Sequence, residues 1–106
     1  MPVSKNGRIS DKISVGFFFG GKSVEHEVSV ITGLQAMYAA DTEKYRTVPV
    51  YITKQGEMYT GGKTGEIEAY GDIKTLLAGA VRVILVNDNG HFLLEIGRAH
   101  VRTPVT

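Results

Sequence analysis

The chain has 106 residues, 42% of them hydrophobic, with 13 glycines and no cysteine. That allows one modest core and excludes a complete multidomain enzyme, a disulfide scaffold and a thiolate metal site. The net charge of +1 sits in the ends: without the first and last twelve residues, seven basic residues stand against nine acidic ones, a net of −2, so no basic face for nucleic acid is expected.

Met1–Lys12 is polar and without period, and reads as a flexible leader. Ile13–Phe19 (ISVGFFF) is a short run of strand formers, apolar on both faces, and predicts a central strand of a covered sheet. Behind a basic leader it faintly mimics a signal peptide, but no small-residue cleavage site follows, and a cytosolic chain is expected. Gly20-Gly21 ends the strand. Lys22–Ala40 then shows helical spacing, with Val24, Val28, Ile31, Leu34 and Tyr38 as the core stripe and Met37 widening it. Ser23 is its expected N-cap, and Glu25 and Glu27 suit the positive end of the helix dipole. The longest uncharged stretch, Val28–Ala40, has 13 residues, too few to span a bilayer as a helix.

Arg46–Thr53 (RTVPVYIT) is the next strand, and its Pro49 lacks one ladder donor, which suggests an edge or a bulge. Strand, helix and strand within about 40 residues predict a right-handed βαβ crossover. Gln55-Gly56 turns the chain into Glu57–Thr60, and Gly61–Gly71 reads as loop. Asp72–Ala78 reads as a short helix capped by Asp72 and stopped by Gly79. Val81–Val86 is a strand, and Asn89-Gly90 predicts a hairpin that returns His91–Leu94 antiparallel. Glu95–Thr106 (EIGRAHVRTPVT) has no period and resembles the translation of a laboratory sequencing adapter, so it is read as a non-native tail. His26, His91 and His100 are far apart, and no carboxylate–histidine spacing suggests a metal site.

The segment with chemical content is Gly20–Ser29, GGKSVEHEVS. Two glycines permit a sharp turn and leave backbone amides uncovered, a helix start aims further amides at the same space, and Glu25 and His26 stand at the mouth. In open α/β sheets ligands bind beyond the carboxyl ends of the strands, where this segment lies. The amides favour an anion and Glu25 favours a cation, a combination suited to an amino acid. A purely structural role, Glu25 and Glu27 complementing the dipole for roughly 0.3–1 kcal/mol each, explains the residues equally well.

Phe19–Ser29, FGGKSVEHEVS, resembles the N-terminal signature of the D-alanine–D-alanine ligases. The stretches TEKYRTVPVYITKQGEMYTG and LVNDNG resemble the same family, so the likeness covers about residues 13–94. It implies an α/β, partial Rossmann-like (pre-ATP-grasp) domain with a mainly parallel sheet, a βαβ start and a C-terminal β-hairpin, incomplete at residue 94. It implies an ATP-dependent carboxylate–amine ligase of the ATP-grasp type that joins two D-alanines for peptidoglycan, serving the cell wall and cell shape. One D-alanine carboxylate becomes an acyl phosphate, and the amino group of the second attacks it. By resemblance Glu25 is the catalytic candidate and binds the ammonium of the first D-alanine. Gly20, Gly21, Ser23, His26 and Ser29 shape the substrate pocket, with Lys22 in support.

The resemblance also implies ATP and Mg2+ as cofactors of the full-length enzyme, with D-alanine as the partner, a cytoplasmic homodimer, and neither nucleic acid nor membrane bound. The family's ATP-clamping residues, transition-state arginine and magnesium-binding acids have no counterpart here, so the fragment alone is expected to be inactive and to bind no cofactor. Three other readings compete. D-lactate or D-serine is an alternative second substrate within the family. Gly16–Ser23, GFFFGGKS, formally fits the phosphate-binding loop G-x-x-x-x-G-K-[ST], although Phe17, Phe18 and Phe19 look like strand residues. A non-catalytic small-ligand module is compatible with the fold alone.

Overall fold

The computed structural model describes residues 12–96 and 104–105. The expected leader through residue 11, and residues 97–103 and 106 of the expected tail, lie outside the described residues. The chain starts with β1 (Ile13–Gly20), turns into α1 (His26–Tyr38), and returns through β2 (Tyr45–Ile52). β1 and β2 run parallel, with Ile13 beside Tyr45 and Gly20 beside Ile52, so the βαβ start is present. The strands β3 (Met58–Thr60), β4 (Val81–Asp88), β5 (His91–Ile96) and β6 (Pro104–Val105) complete a sheet in the order β1-β2-β3-β4-β5-β6. The loop expected at Gly61–Gly71 contains a 3-10 turn, Ile67–Gly71, followed by α2 (Ile73–Ala78).

The α/β class and the terminal hairpin agree with expectation, but the sheet is not mainly parallel. Only β1–β2 is parallel, and the other pairings are antiparallel. The cause lies in the connections. A parallel neighbour needs a long crossover, which α1 supplies between β1 and β2, whereas tight turns return β3 beside β2 and β5 beside β4; β4 pairs antiparallel with β3 after the longer connection that carries the 3-10 turn and α2. Thr53 builds the first such turn. Its buried hydroxyl accepts from the amides of Gln55 and Glu57 at 3.2 and 3.1 Å. Asn89 and Gly90 build the last, with φ of 55° and 87°, the left-handed pair that a two-residue hairpin requires. Pro49 does no harm, because the β2–β3 ladder begins one residue later, at Val50.

β1 is an edge strand and not the central one expected. Val15, Phe17 and Phe19 share a face with Tyr51 of β2, while Ser14, Gly16 and Phe18 face the other way and are exposed. Against the first face packs α1, and the core joins Phe19, Val30, Leu34, Met37 and Tyr51 with Leu76 of α2. Fully burying Leu34 contributes about 1.5–3 kcal/mol. Gly33 lets helix and strand close up, since a Cβ there would stand 2.6 Å from that of Phe19.

The helix starts later and is rotated relative to the expected stripe. Its buried residues are His26, Val30, Leu34 and Met37. Val28, Ile31 and Tyr38 are exposed, and Val24 is 97% exposed in the preceding turn. Ser23 is not the N-cap. Its hydroxyl accepts from the Glu25 amide at 2.9 Å, which holds residues 23–25 in a serine turn, and the helix begins only after Glu25.

α2 is capped as predicted: Asp72 accepts from the Thr75 amide at 3.3 Å and from its hydroxyl at 2.8 Å, and Gly79 ends the helix. These bonds, the hydroxyl's first, hold the Asp72 carboxyl below the usual aspartate range. A group depressed on folding stabilises above its unfolded pKa, and that contribution disappears as pH falls through the folded value. The melting-temperature gap between wild type and Asp72→Ala is therefore expected to shrink on acidification below about pH 4. Thermal melts across that range check this, and a gap independent of pH would contradict it.

Candidate functional site

The turn between β1 and α1 is built by Gly20 and Gly21, whose φ angles of 96° and 93° lie in the region open to glycine. The Gly20 amide donates to Ser29 Oγ at 3.0 Å, and the Gly21 amide donates to the Ile52 carbonyl at 2.8 Å. These two amides are thus committed within the fold and do not await an anion, contrary to the expectation from the paired glycines. The Gly21 carbonyl is bound by His26 Nδ1, and His26 Nε2 lies 2.8 Å from the Tyr51 hydroxyl. His26 is only 4% exposed, and its ring stands edge-on to that of Tyr51.

Glu25 occupies the N-cap position of α1 and is exposed. Its backbone is pinned on both sides: its amide donates to Ser23 Oγ, and its carbonyl accepts from the Ser29 amide at 2.9 Å. Its carboxylate has no hydrogen bond or ion pair among the described residues. Glu27 is different. Its own backbone amide at the helix start and then Lys54, at 3.3 Å, hold its carboxyl below the usual range, which fits the role of complementing the helix dipole.

A cavity of about 500 Å³ opens beside this turn, between α1, the carboxyl end of β2, the 3-10 turn and α2. His26, Val30, Tyr51, Tyr70 and Leu77 wall it, and the Lys54–Glu27 pair stands among its lining residues. Tyr51 and Tyr70 pack edge-on at 5.1 Å between ring centroids, and Tyr70 donates to the Thr64 carbonyl at 2.7 Å. Burial pushes both hydroxyls above the ordinary tyrosine range; Glu27's charge adds to the shift at Tyr51, and Tyr51 and Tyr38 add to that at Tyr70.

Of the residues singled out in the sequence, the fold joins Gly20, Gly21, His26 and Ser29 into one hydrogen-bonded unit, and Ser23 acts next to it on the Glu25 backbone. Glu25 itself does not line the cavity. Tyr51, Thr53, Tyr70 and Lys54 were missed. Each reaches the site through register or loop closure, and no local pattern marks them. The phosphate-loop alternative fails on geometry, because Gly16–Gly20 is extended strand within β1 and forms no cradle of inward amides.

Comparison with known proteins agrees with this architecture. Residues 14–98 match the family model described as "D-ala D-ala ligase N-terminus". The chain is 38% identical over 86 residues to the D-alanine–D-alanine ligase of Thermosipho melanesiensis, covering 80% of this chain and 24% of that protein. It is 38% identical over 82 residues to the corresponding ligase of Chlorobium limicola, covering 67% of this chain and 23% of that protein. Among solved structures, the D-alanine–D-alanine ligase of Coxiella burnetii superposes with a TM-score of 0.69 at 19% identity, over 88% of this chain and 27% of that one. VanG D-Ala:D-Ser ligase of Enterococcus faecalis superposes with a TM-score of 0.60 at 26% identity, over 79% and 25%. The chain spans about a quarter of the length of the curated relatives it matches. With the model match covering most of the described residues, and with a βαβ start that carries the Gly-Gly turn and Glu25, the chain belongs to the D-alanine–D-alanine ligase N-terminal family.

Proposed function

We propose that this chain is the N-terminal substrate-binding part of an ATP-dependent D-alanine–D-alanine ligase acting in peptidoglycan synthesis. The observation that supports it most is the position of Glu25. The Gly-Gly turn sets it at the carboxyl end of β1, on the N-terminus of α1, with its backbone fixed and its carboxylate unpaired among the described residues. An unpaired carboxylate there meets the ammonium of the first D-alanine by a charge-assisted hydrogen bond. Ser23, Ser29, Gly20 and Gly21 hold the loop that presents it.

ATP and Mg2+ are assigned to the full-length enzyme, where they supply the phosphoryl group that activates a carboxylate. Among the described residues no three His, Asp or Glu side chains cluster to hold a metal, and the glycine-rich turn has spent its amides internally. In this reading the residues of this chain bind and orient, and the activation step is assigned to the rest of the full-length enzyme. The isolated chain is expected to release no phosphate above background when mixed with ATP, Mg2+ and D-alanine, and release that scales with chain concentration would contradict this. By the family resemblance the full-length enzyme is read as a cytoplasmic homodimer.

In the full-length ligase, Glu25→Gln is expected to raise the KM for the first D-alanine by roughly 10- to 150-fold, the equivalent of about 1.5–3 kcal/mol for one charge-assisted contact. The KM for ATP stays unchanged. Steady-state kinetics with each substrate varied separately check this, and an unaltered D-alanine KM removes Glu25 from the site. D-serine is the second reading for the other substrate, favoured by the likeness to VanG D-Ala:D-Ser ligase, with D-lactate the further family alternative. Product analysis with the three acceptors in competition separates them, and Glu25 keeps the same role in each case.

A further inference from the structure

The most constrained polar side chain beside Glu25 is His26, and the proposed function gives it no task. Its ring is buried, yet both nitrogens are engaged. The Gly21 carbonyl only accepts, so Nδ1 carries the ring hydrogen. In the neutral ring Nε2 is then an acceptor, and the Tyr51 hydroxyl donates to it. One side chain therefore ties three parts of the fold: the turn at Gly21, the first residue of α1, and the end of β2 at Tyr51.

A third link anchors the turn, and two more act on the backbone of Glu25. Ser23 holds its amide, Ser29 donates to its carbonyl, and Gly21 is anchored to Ile52. His26 follows Glu25 directly in the chain, so the direction of the Glu25 Cα–Cβ bond depends on the backbone that His26 locks. Tyr51 is locked in turn by its packing against Phe19 and Tyr70.

We infer that His26 is a positioning residue for Glu25: the Gly21–His26–Tyr51 link fixes the carboxylate relative to the carboxyl ends of β1 and β2, and so sets the affinity for the amino-acid ammonium without touching it. The inference rests on the ammonium-binding role proposed for Glu25. A histidine that only fills the core would contribute to stability and leave substrate affinity alone.

The test is a double-mutant cycle in the full-length ligase, read as the KM for the first D-alanine. His26→Leu removes both hydrogen bonds and is expected to raise that KM about tenfold, with the KM for ATP unchanged. His26→Asn keeps a donor near the Nδ1 position and is expected to restore most of the affinity. On a Glu25→Gln background, His26→Leu is expected to add nothing, because its effect passes through the missing carboxylate. If Glu25→Gln weakens D-alanine but His26→Leu does not, the positioning role falls and the ammonium site stands. If Glu25→Gln has no effect, both fall. An additive double mutant also overturns the inference. Should His26→Leu fail to fold, Tyr51→Phe carries the same cycle, since it deletes one hydroxyl and keeps the ring. A separate measurement uses the 106-residue chain itself: long-range 15N NMR is expected to find the His26 hydrogen on Nδ1, and a hydrogen on Nε2 alone contradicts the geometry on which the link depends.

Discussion

Gly20→Ala is expected to destabilise the chain by about 3–6 kcal/mol, whereas Gly21→Ala costs only about 1–2 kcal/mol. Both glycines have positive φ, so any side chain brings backbone strain at either position. Only at Gly20 is there also no room. A Cβ there would stand 2.3 Å from the Ile52 carbonyl oxygen, with Tyr51 and His26 side-chain atoms at 3.1 and 3.2 Å, while nothing lies within 4 Å of the equivalent atom on Gly21. The obstructing oxygen belongs to the backbone of β2 and is the one that accepts from the Gly21 amide, so relief of the clash breaks the anchor of the turn. A loss of this size is a large fraction of the 5–15 kcal/mol that holds a typical domain together. Urea denaturation of the two variants, followed by circular dichroism, measures the difference. Equal losses at the two positions would mean that the approach to Ile52 does not constrain the turn.

What was legible in the sequence was local. The Gly20-Gly21 break, the Asp72 cap with its Gly79 stop, and the Asn89-Gly90 turn each depend on residues a few positions apart, and each was found where expected. What was not legible was phase and partnership. α1 carries apolar residues on more than one side, so its spacing fits either stripe. The expected stripe placed Leu34 and Met37 correctly but joined them to Val28, Ile31 and Tyr38, which are exposed, whereas the buried face continues through Val30 and His26. The choice is made by His26, whose inward direction follows from hydrogen bonds to Gly21 and to Tyr51, the latter 25 residues away. β1 misled for a related reason. Three consecutive phenylalanines suggest burial on both faces, but the register gives one face α1 and leaves Phe18 44% exposed on the other. The sense of the sheet was missed although the turns at Gln55-Gly56 and Asn89-Gly90 were read, because β4 pairs antiparallel with β3 across the long connection through α2, a partnership that no local spacing encodes.

That exposed strand leads to the second large effect: concentration-dependent self-association through β1. Among the described residues no strand pairs with the outer side of β1, so its edge presents free backbone donors and acceptors. The eight residues Ile13–Gly20 carry no charge and no proline, the usual devices that discourage strand addition, and Ile13 is 63% exposed. Two such edges pair antiparallel across a two-fold axis and satisfy both rows at once, and the exposed Phe18 side chains add apolar burial on the uncovered face. Sedimentation velocity from micromolar to millimolar protein is expected to show growth beyond the monomer. Phe18→Lys places a charge on that face without entering the core formed by Phe19, and is expected to shift the chain back toward monomer while leaving its melting curve nearly unchanged. A wild-type chain that stays monomeric throughout, or a lysine variant that associates equally, would show that the β1 edge is not the contact. Were the variant monomeric but unfolded, circular dichroism would reveal it, and Phe18 would then belong to the structural core despite its exposure.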